Sequence, residues 1–469
     1  MEQQCKLYSN QEETRELIIK AFKKLFDNGH ASFMKDLTAE ERLHFERKEV
    51  QYHIPWRIAF SDSATTPARP VLDASSRTRT RQDGTGGKSL NNLVCQGKVE
   101  SINLLKLVLG FRVGKFALIG GLKQFYNSFK LQPCHWNLQR FLYKQDLDPD
   151  SPVQDGVIKT LIYGVGSVSA QSENGMKKLG NIVKEEKPHV KNLIDNWMYV
   201  DDAGDSKFTK EECVQLAAYA DEVFARVKLE CKSWTYSGEN PDDKVSKDGI
   251  SISVGGFKWF PKLDVYELKV PFLHFGKKRR GRLSPDTKFF SGDQQELDQF
   301  VPKKLTRRMV TSKYASIFDL SGKLGPILAE AKNLLRDTIV ATADWDVPML
   351  DELRSKWLEQ FMLWERLRAL KFDRAVMPPD AIDCKMRLIV KGDFAQKILV
   401  VGSWGGFRKK SGGWSCQHVL SRTLLAEKNQ TIPKGELQSL TNASNMCWQL
   451  RKLLAEWVEE YILCTITIE

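Results

Sequence analysis

Apolar residues first recur at helical spacing near the N-terminus, where Leu17, Ile18, Phe22, Leu25 and Phe26 share one face. Ser9 and Glu12 give a capping-box pattern ahead of that face, and Asn28-Gly29 a stop behind it, so a helix is predicted. The stretch that follows lacks periodicity, and SSRTRTRQDGTGGKS (75–89) has the Gly, Ser and Arg content of a mobile finger or insertion. From about 104 to 204, short apolar runs alternate with turn signals, as in a mixed α/β domain. LIYGVGSVSA (161–170) and NWMYVDDAGD (196–205) stand out within it. Thr209 and Glu212 form a second capping box, continued by Leu216, Ala217, Ala220, Val223, Phe224 and Val227 as an amphipathic helix. ISISVGGFKWF and LDVYELKVPFLHF (250–275) alternate with strand period until GKKRRGR (276–282) breaks the pattern. Residues 303–370 read as helices, and 384–407 as two strands. After a Gly-rich turn, 431–461 reads as a helix, and CTITIE (464–469) as a final strand.

Composition narrows the function classes. At 469 residues the chain holds roughly three domains of about 150 residues each. Its 42% hydrophobic and 10% aromatic content supports packed cores and argues against wholesale disorder. Lysine and arginine number 71 against 59 acids, a net charge of +12 that favours a polyanionic partner. The N-terminus is polar and carries acids, unlike a signal peptide. The most apolar stretch, LLKLVLGFRVGKFALIGG, is broken by Lys106, Arg112 and Lys115, short of the ~18 clean residues a membrane span needs. No CxxC pair or zinc-like His spacing occurs among the nine cysteines, which read as reduced thiols of an intracellular protein, cytoplasmic or nuclear.

Tyr199-Val200-Asp201-Asp202 is the sharpest chemical signal. Two adjacent carboxylates at a turn are costly to bury unless they are paired or bound to metal. Two-metal phosphoryl chemistry uses such acids to clamp Mg²⁺ ions about 4 Å apart. An Asp-Asp-Ala-Gly hairpin turn is the plainer reading of the same four residues.

The wider context matches a known group. RPVLDASSRT (69–78), SLNNL (89–93), KQFYNSFKL (123–131), QRFLY (139–143), LIYGVGSVSAQSE (161–173), TRRMVTSKYASIFDLSGKLGP (306–326) and TIPKGEL (431–437) occur in this order. Together with YVDD they resemble the polymerase and ribonuclease H region of the Pao/BEL class of long-terminal-repeat retrotransposons, over about residues 45 to 469. The resemblance implies an α+β fold: a right-hand polymerase of fingers and palm (45–260), then primer grip, thumb and connection (261–380). A ribonuclease H-like α/β domain (381–469), truncated at its C-terminus, follows, and residues 1–44 stand before as a helical segment. It further implies RNA-directed DNA polymerase activity with Mg²⁺ or Mn²⁺, an RNA/DNA primer–template duplex and deoxynucleoside triphosphates as partners, and no membrane.

By position, the resemblance makes Asp201 and Asp202 metal ligands, Arg69 the fingers arginine on the incoming triphosphate, and Tyr126 a steric gate against the ribose 2′-hydroxyl. Gly164 matches the loop under the nucleotide and template. Asp393 and Glu436 match two ribonuclease H carboxylates, with Glu469 as a stand-in for the third. Lys277, Lys278, Arg279, Arg280, Arg282, Arg307 and Arg308, with Lys303 and Lys304 nearby, fall where the group contacts nucleic-acid phosphates. Simpler readings stand beside these: a surface loop for Arg69, core packing for Tyr126, a first-turn acid for Glu436, a solvated face or nuclear localisation signal for the basic run.

One departure outweighs the matches. Five residues before the gate the group carries its first metal-binding aspartate, and this chain has Gly121. No acid lies between Gly110 and Leu131 to replace it. If the missing ligand supplies roughly 4 kcal/mol of transition-state stabilisation, the rate falls about a thousandfold. A poor or inactive polymerase is expected, with a nucleic-acid-binding fragment of a decayed retroelement as the alternative.

Overall fold

In the computed structural model the N-terminal periodicity becomes helix α1 (Glu12–Asp27). The structure describes residues 12–46, 51–60, 67–78, 87–98, 104–276, 278–279, 282–283, 286–395 and 397–464, so Ser9 and most of the Arg-rich 75–89 stretch lie outside it. Ile18, Phe22 and Leu25 are buried in one core with Trp56, Leu72 and Phe141. The Phe22 ring stands edge-on to Trp56 at 4.8 Å between centroids. The helix is therefore part of the fingers rather than a segment apart, because its apolar face has no other cover. The same core takes in β1 (Ala31–Phe33) and the antiparallel pair β2 (Trp56–Phe60) and β3 (Ala68–Leu72). It is completed by β5 (Arg140–Lys144) and β6 (Val153–Ile158), which extend β1 into a sheet of order β1-β6-β5.

Chain order then builds the palm. Helix α2 (Leu104–Val113) leads into β4 (Phe116–Leu122); α3 (Val168–Ile182) and α4 (Pro188–Asn196) lead into β7 (Met198–Tyr199) and β8 (Asp202–Lys207). Helix α5 (Lys210–Arg226) returns the chain to β9 (Cys231–Tyr236). The four strands form an antiparallel sheet of order β7-β8-β4-β9. Leu118, Leu122 and Ala203 turn to the helices beneath, packing with Leu193, Leu216 and Phe224. Period-2 alternation therefore turns Ile119, Gly121 and Asp202 to the opposite face. The expected capping box of α5 is present: Thr209 Oγ1 accepts from the Glu212 amide at 3.2 Å, and Glu212 Oε2 from the Thr209 amide at 2.9 Å.

Strands β10 (Ile252–Val254), β11 (Phe257–Phe260) and β12 (Val265–Leu268) form an antiparallel meander that β13 (Lys371–Asp373) extends. Its buried face, with Trp259 and Tyr266, shares a core with Val310 of α6 (Arg307–Ala315), Leu334 of α7 (Gly325–Ala341) and Trp357, Phe361 and Trp364 of α8 (Asp351–Leu367). A division at 260/261 would cut the hairpin that joins β11 to β12, so the packing unit begins near 250. The last sheet has order β16-β15-β14-β17, from β14 (Met386–Ala395), β15 (Ile398–Arg408), β16 (Trp414–Leu425) and β17 (Val458–Cys464), the last parallel to β14. Helix α9 (Ile432–Leu453) lies on one face, where Ala443, Met446 and Leu450 meet Met386, Leu388 and Val390. Strand β16 is not foreseen from sequence, because only Val419 and Leu420 of its twelve residues are buried. Among the described residues no helix is long and apolar enough to cross a membrane.

These units meet at the C-terminus of α2. A helix leaves its last four carbonyls without internal partners. Here Gly110 O accepts from Ser206 Oγ of β8, Arg112 O from the Val376 amide at 2.7 Å and Val113 O from the Met377 amide at 3.1 Å. Arg374, fully buried, takes the rest: Nη1 donates to Phe111 O and Gly114 O at 2.9 Å each, and Nη2 to Lys115 O at 2.6 Å. Its Nε and the other Nη2 hydrogen grip Asp264 at 2.7 Å each, so all five guanidinium donors are used. Arg112 extends from the same helix end to His418 O at 2.9 Å and Val419 O at 3.1 Å, joining palm to last domain.

Two outcomes follow from this junction. Arg374→Met, which leaves Asp264 without its cation and three carbonyls without their donor, is expected to lower stability by about 3–5 kcal/mol in a urea titration. His418 is held down to about 3 by burial and by neighbouring Arg112 and Lys323. Its folded value lies below the ordinary ~6.5, so stability is full above that pH and is lost as pH falls toward 3, by at most about 1.4 kcal/mol per unit. His418→Asn is expected to flatten that acid limb in pH-dependent melting.

Candidate active site

The YVDD segment folds as a tight hairpin. Tyr199 pairs with Asp202, leaving Val200 and Asp201 as a two-residue loop. Val200 has φ +58°, a left-handed conformation that strains a β-branched residue. The loop is tied to the neighbouring strand, since Asp201 O accepts from the Leu122 amide at 2.8 Å.

Register places Gly121 directly across from Asp202. A Cβ at Gly121 would stand 3.2 Å from Asp202 Oδ1 and 4.0 Å from Lys232 Nζ. Desolvation, reinforced by the charge of Asp201 and offset by Lys232, raises the Asp202 carboxyl well above the usual carboxylate range. Two clefts flank the acids. On the Asp202 side an open cleft of about 680 Å³ carries Lys232, Lys244, Lys247, Lys258 and Lys269. On the Asp201 side a smaller one is lined by Lys24, Arg69, Gln124, Tyr163 and again Lys232.

Arg69 sits on β3 opposite Ala59, with its guanidinium 5.9 Å from the Tyr163 ring centre. Burial, and then the charge of Asp201, pushes the Tyr163 phenol up to about 12. Tyr126 is buried and packs edge-on to Tyr163 at 4.8 Å, with its hydroxyl 3.4 Å from Ser169 Oγ. Gly164 has φ +104°, and a Cβ there would run into the carbonyl of Leu72. Asn91, from the SLNNL motif, locks that loop: its Nδ2 donates to Gly164 O at 3.1 Å and its Oδ1 accepts from the Gly166 amide at 2.7 Å. Lys24, Lys232 and Asn91 were not singled out from sequence. Lys24 and Lys232 belong to no local motif, and only the fold carries them to the acids.

The other candidate residues are not gathered in this way. Gly392 faces Ser439 and Ala443 of α9, and Phe394 packs against Gly435. Asp393, between them on the strand, is exposed and projects from the other face, its Oδ1 accepting from the Phe394 amide at 2.8 Å. Glu436 is half-buried in the first turns of α9; Glu469 lies outside the described residues. Arg307 stacks on Trp345 at 4.1 Å, and Arg308 is held by Asp346 through bonds of 2.7 and 2.9 Å. Lys277 and Arg280 lie outside the described residues; the backbones of Lys278, Arg279 and Arg282 belong to a short antiparallel pair, 278–279 with 282–283.

The donor set does not fit a pair of divalent ions. Among the described residues no three His, Cys, Asp or Glu side chains come together. Asp201 and Asp202 stand with a glycine where a third carboxylate would reach, and an ammonium group lies beside that position.

Comparison with known proteins bears on the fold. Residues 306–465 match the family of the Pao retrotransposon-like RNaseH-like domain. Similar solved structures include the foamy viral protease-reverse transcriptase dRH in complex with double-stranded DNA, at TM-score 0.54 and 12% identity over 91% of this chain and 59% of that one. The foamy viral protease-reverse transcriptase with dsDNA matches at TM-score 0.53 and 12% identity, over 92% of this chain and 71% of that one. The same protein with an RNA/DNA hybrid matches at 0.54 and 12%, over 97% and 49%. The chain thus spans about half to under three quarters of the structures it resembles. No curated protein matches it. The fold is that of a retroviral-type reverse transcriptase followed by a ribonuclease H-like domain, as the sequence resemblance implied.

Gly164→Ala tests the loop geometry: the forced contact with Leu72 O is expected to lower stability by at least about 2 kcal/mol, read from the urea midpoint.

Proposed function

We propose that this chain, a reverse transcriptase-like retroelement protein by its fold and its Pao retrotransposon-like domain, binds a primer–template duplex while its polymerase centre is impaired. The observation that carries the reading is the pairing of Gly121 with Asp202, which leaves the acid face of the palm one carboxylate short. Glycine offers no ligand, and Asp201 and Asp202 alone present too little negative charge to hold two divalent ions against a triphosphate. No polymerisation step is therefore assigned to the site. Its remaining capacity is binding.

Several features support the duplex. Five lysines line the cleft beside Asp202. The structural neighbours are complexes with double-stranded DNA and with an RNA/DNA hybrid. Net charge of +12 gives the chain a field that attracts phosphates. Arg307 and Arg308 contribute less than their sequence positions imply, since both are engaged with Trp345 and Asp346. Asp393 projects away from α9, the helix that carries Glu436, and no hydrolytic role is assigned to either acid. Deoxynucleoside triphosphates are the substrates the Arg69 side of the site would take.

Primer extension by the purified chain and by Gly121→Asp tests the reading. The variant is expected to extend about a thousandfold faster. Equal, robust extension by both would refute the impaired centre. Duplex affinity is expected to fall at least tenfold between 50 and 200 mM salt; a flat response would remove the binding function.

A further inference from the structure

We propose that the cleft on the Asp201 side binds the triphosphate group of a nucleotide without a divalent cation, using Lys24, Arg69 and Lys232 in place of the metal's charge. The inference rests on the reverse transcriptase-like reading above and adds to it a new contact residue and a metal independence.

Three cations reach the cleft from three elements: Lys24 from α1, Arg69 from β3 and Lys232 from β9. Among the described residues the only acid lining it is Asp201. Lys123, between the lining residues Leu122 and Gln124, is paired with Glu230. None of the three cleft cations forms an ion pair among the described residues; Arg69 only stacks toward Tyr163. Counting both aspartates of the turn against these three side chains still leaves one positive charge in excess. A third carboxylate at position 121 would cancel it, and a divalent ion would then be needed to bring a polyanion in. With glycine there, the attraction exists without one.

Lys24 is held in place by the fold. Helix α1 is seated by Ile18, Phe22 and Leu25 in the fingers core. Its C-terminal end is fastened to the site, because Asn28 Nδ2 donates to Gln124 Oε1 at 3.1 Å. Gln124 is itself in a left-handed conformation, φ +45°, three residues after Gly121. The turn that follows the missing carboxylate and the helix that brings the extra cation are thus tied together. Lys24 precedes the stretch whose motifs resemble any known group, so only the tertiary structure assigns it.

The experiment measures dATP binding to the full chain by calorimetry, in EDTA and in Mg²⁺, with inorganic tripolyphosphate as competitor. Binding in EDTA is expected within about threefold of that in Mg²⁺. Lys24→Met and Lys232→Met are each expected to weaken it about tenfold, and Lys24→Met, which lies outside the duplex cleft, is expected to retain duplex binding and the melting temperature. Gly121→Asp is expected to weaken binding in EDTA and to make it respond to Mg²⁺. Competition by tripolyphosphate supports recognition of the phosphate chain; failure to compete would overturn it. A chain that binds duplex but no dATP in EDTA, or a Lys24→Met variant equal to wild type, ends this inference and leaves the reverse transcriptase-like reading standing. Loss of both dATP and duplex binding in the unaltered chain ends both.

Discussion

The end of helix α2 is where this structure is fixed. Six consecutive carbonyls, from Gly110 to Lys115, receive donors from outside the helix, out of Ser206 on β8 and the 374–377 segment. Ser206 Oγ also accepts from the Gly114 amide at 2.8 Å, so the turn entering β4 is locked to β8 at the far end from the acids. That lock fixes the pairing of Ala117 with Ser206, and hence of Gly121 with Asp202. A slip of one residue would turn Leu118 and Leu122 out of the core, which burial of the helix face forbids. The chemistry of the site is decided by which residue this register sets opposite Asp202.

The electrostatics of the site follow from that register. Two carboxylates in a partly desolvated turn repel, and Lys232 is the cation that faces them. Burying an ammonium stem between the clefts costs less when acids stand beside it, and the acids gain from its presence. The same lysine borders both clefts, which ties the charge on the nucleotide side to that on the strand side. Strain accumulates at the same place. Val200 and Gln124 both have positive φ, one on each of the two turns that meet at the acids. Neighbouring contacts hold them: Leu122 N to Asp201 O, and Asn28 to Gln124.

Much of the architecture was legible because local signals agreed with packing. The α1 face and the Thr209 box appear where periodicity and capping chemistry put them. The two hairpin strands at 257–268 likewise follow their alternation. Strand β16 was illegible because its Ser, Gln, His, Arg and Thr positions carry no alternation; its partner β15 recruits it through backbone bonds. The unit boundaries were blurred for a related reason. Helix α1 and the 250–268 meander each finish a core begun elsewhere in the chain, and contacts of long sequence separation leave no local mark.

Residue identity and short spacing set the turn that presents Asp201 and Asp202 and leave no acid within ten residues of Gly121. Tertiary structure alone decided which charges surround that turn. It brought Lys24 from a helix about 180 residues distant, set Lys232 beside both acids, turned Asp393 away from α9, and occupied Arg308 with Asp346. A side chain's identity is local, whereas the face it takes and the neighbours it meets depend on strand parity and on cores assembled from distant segments.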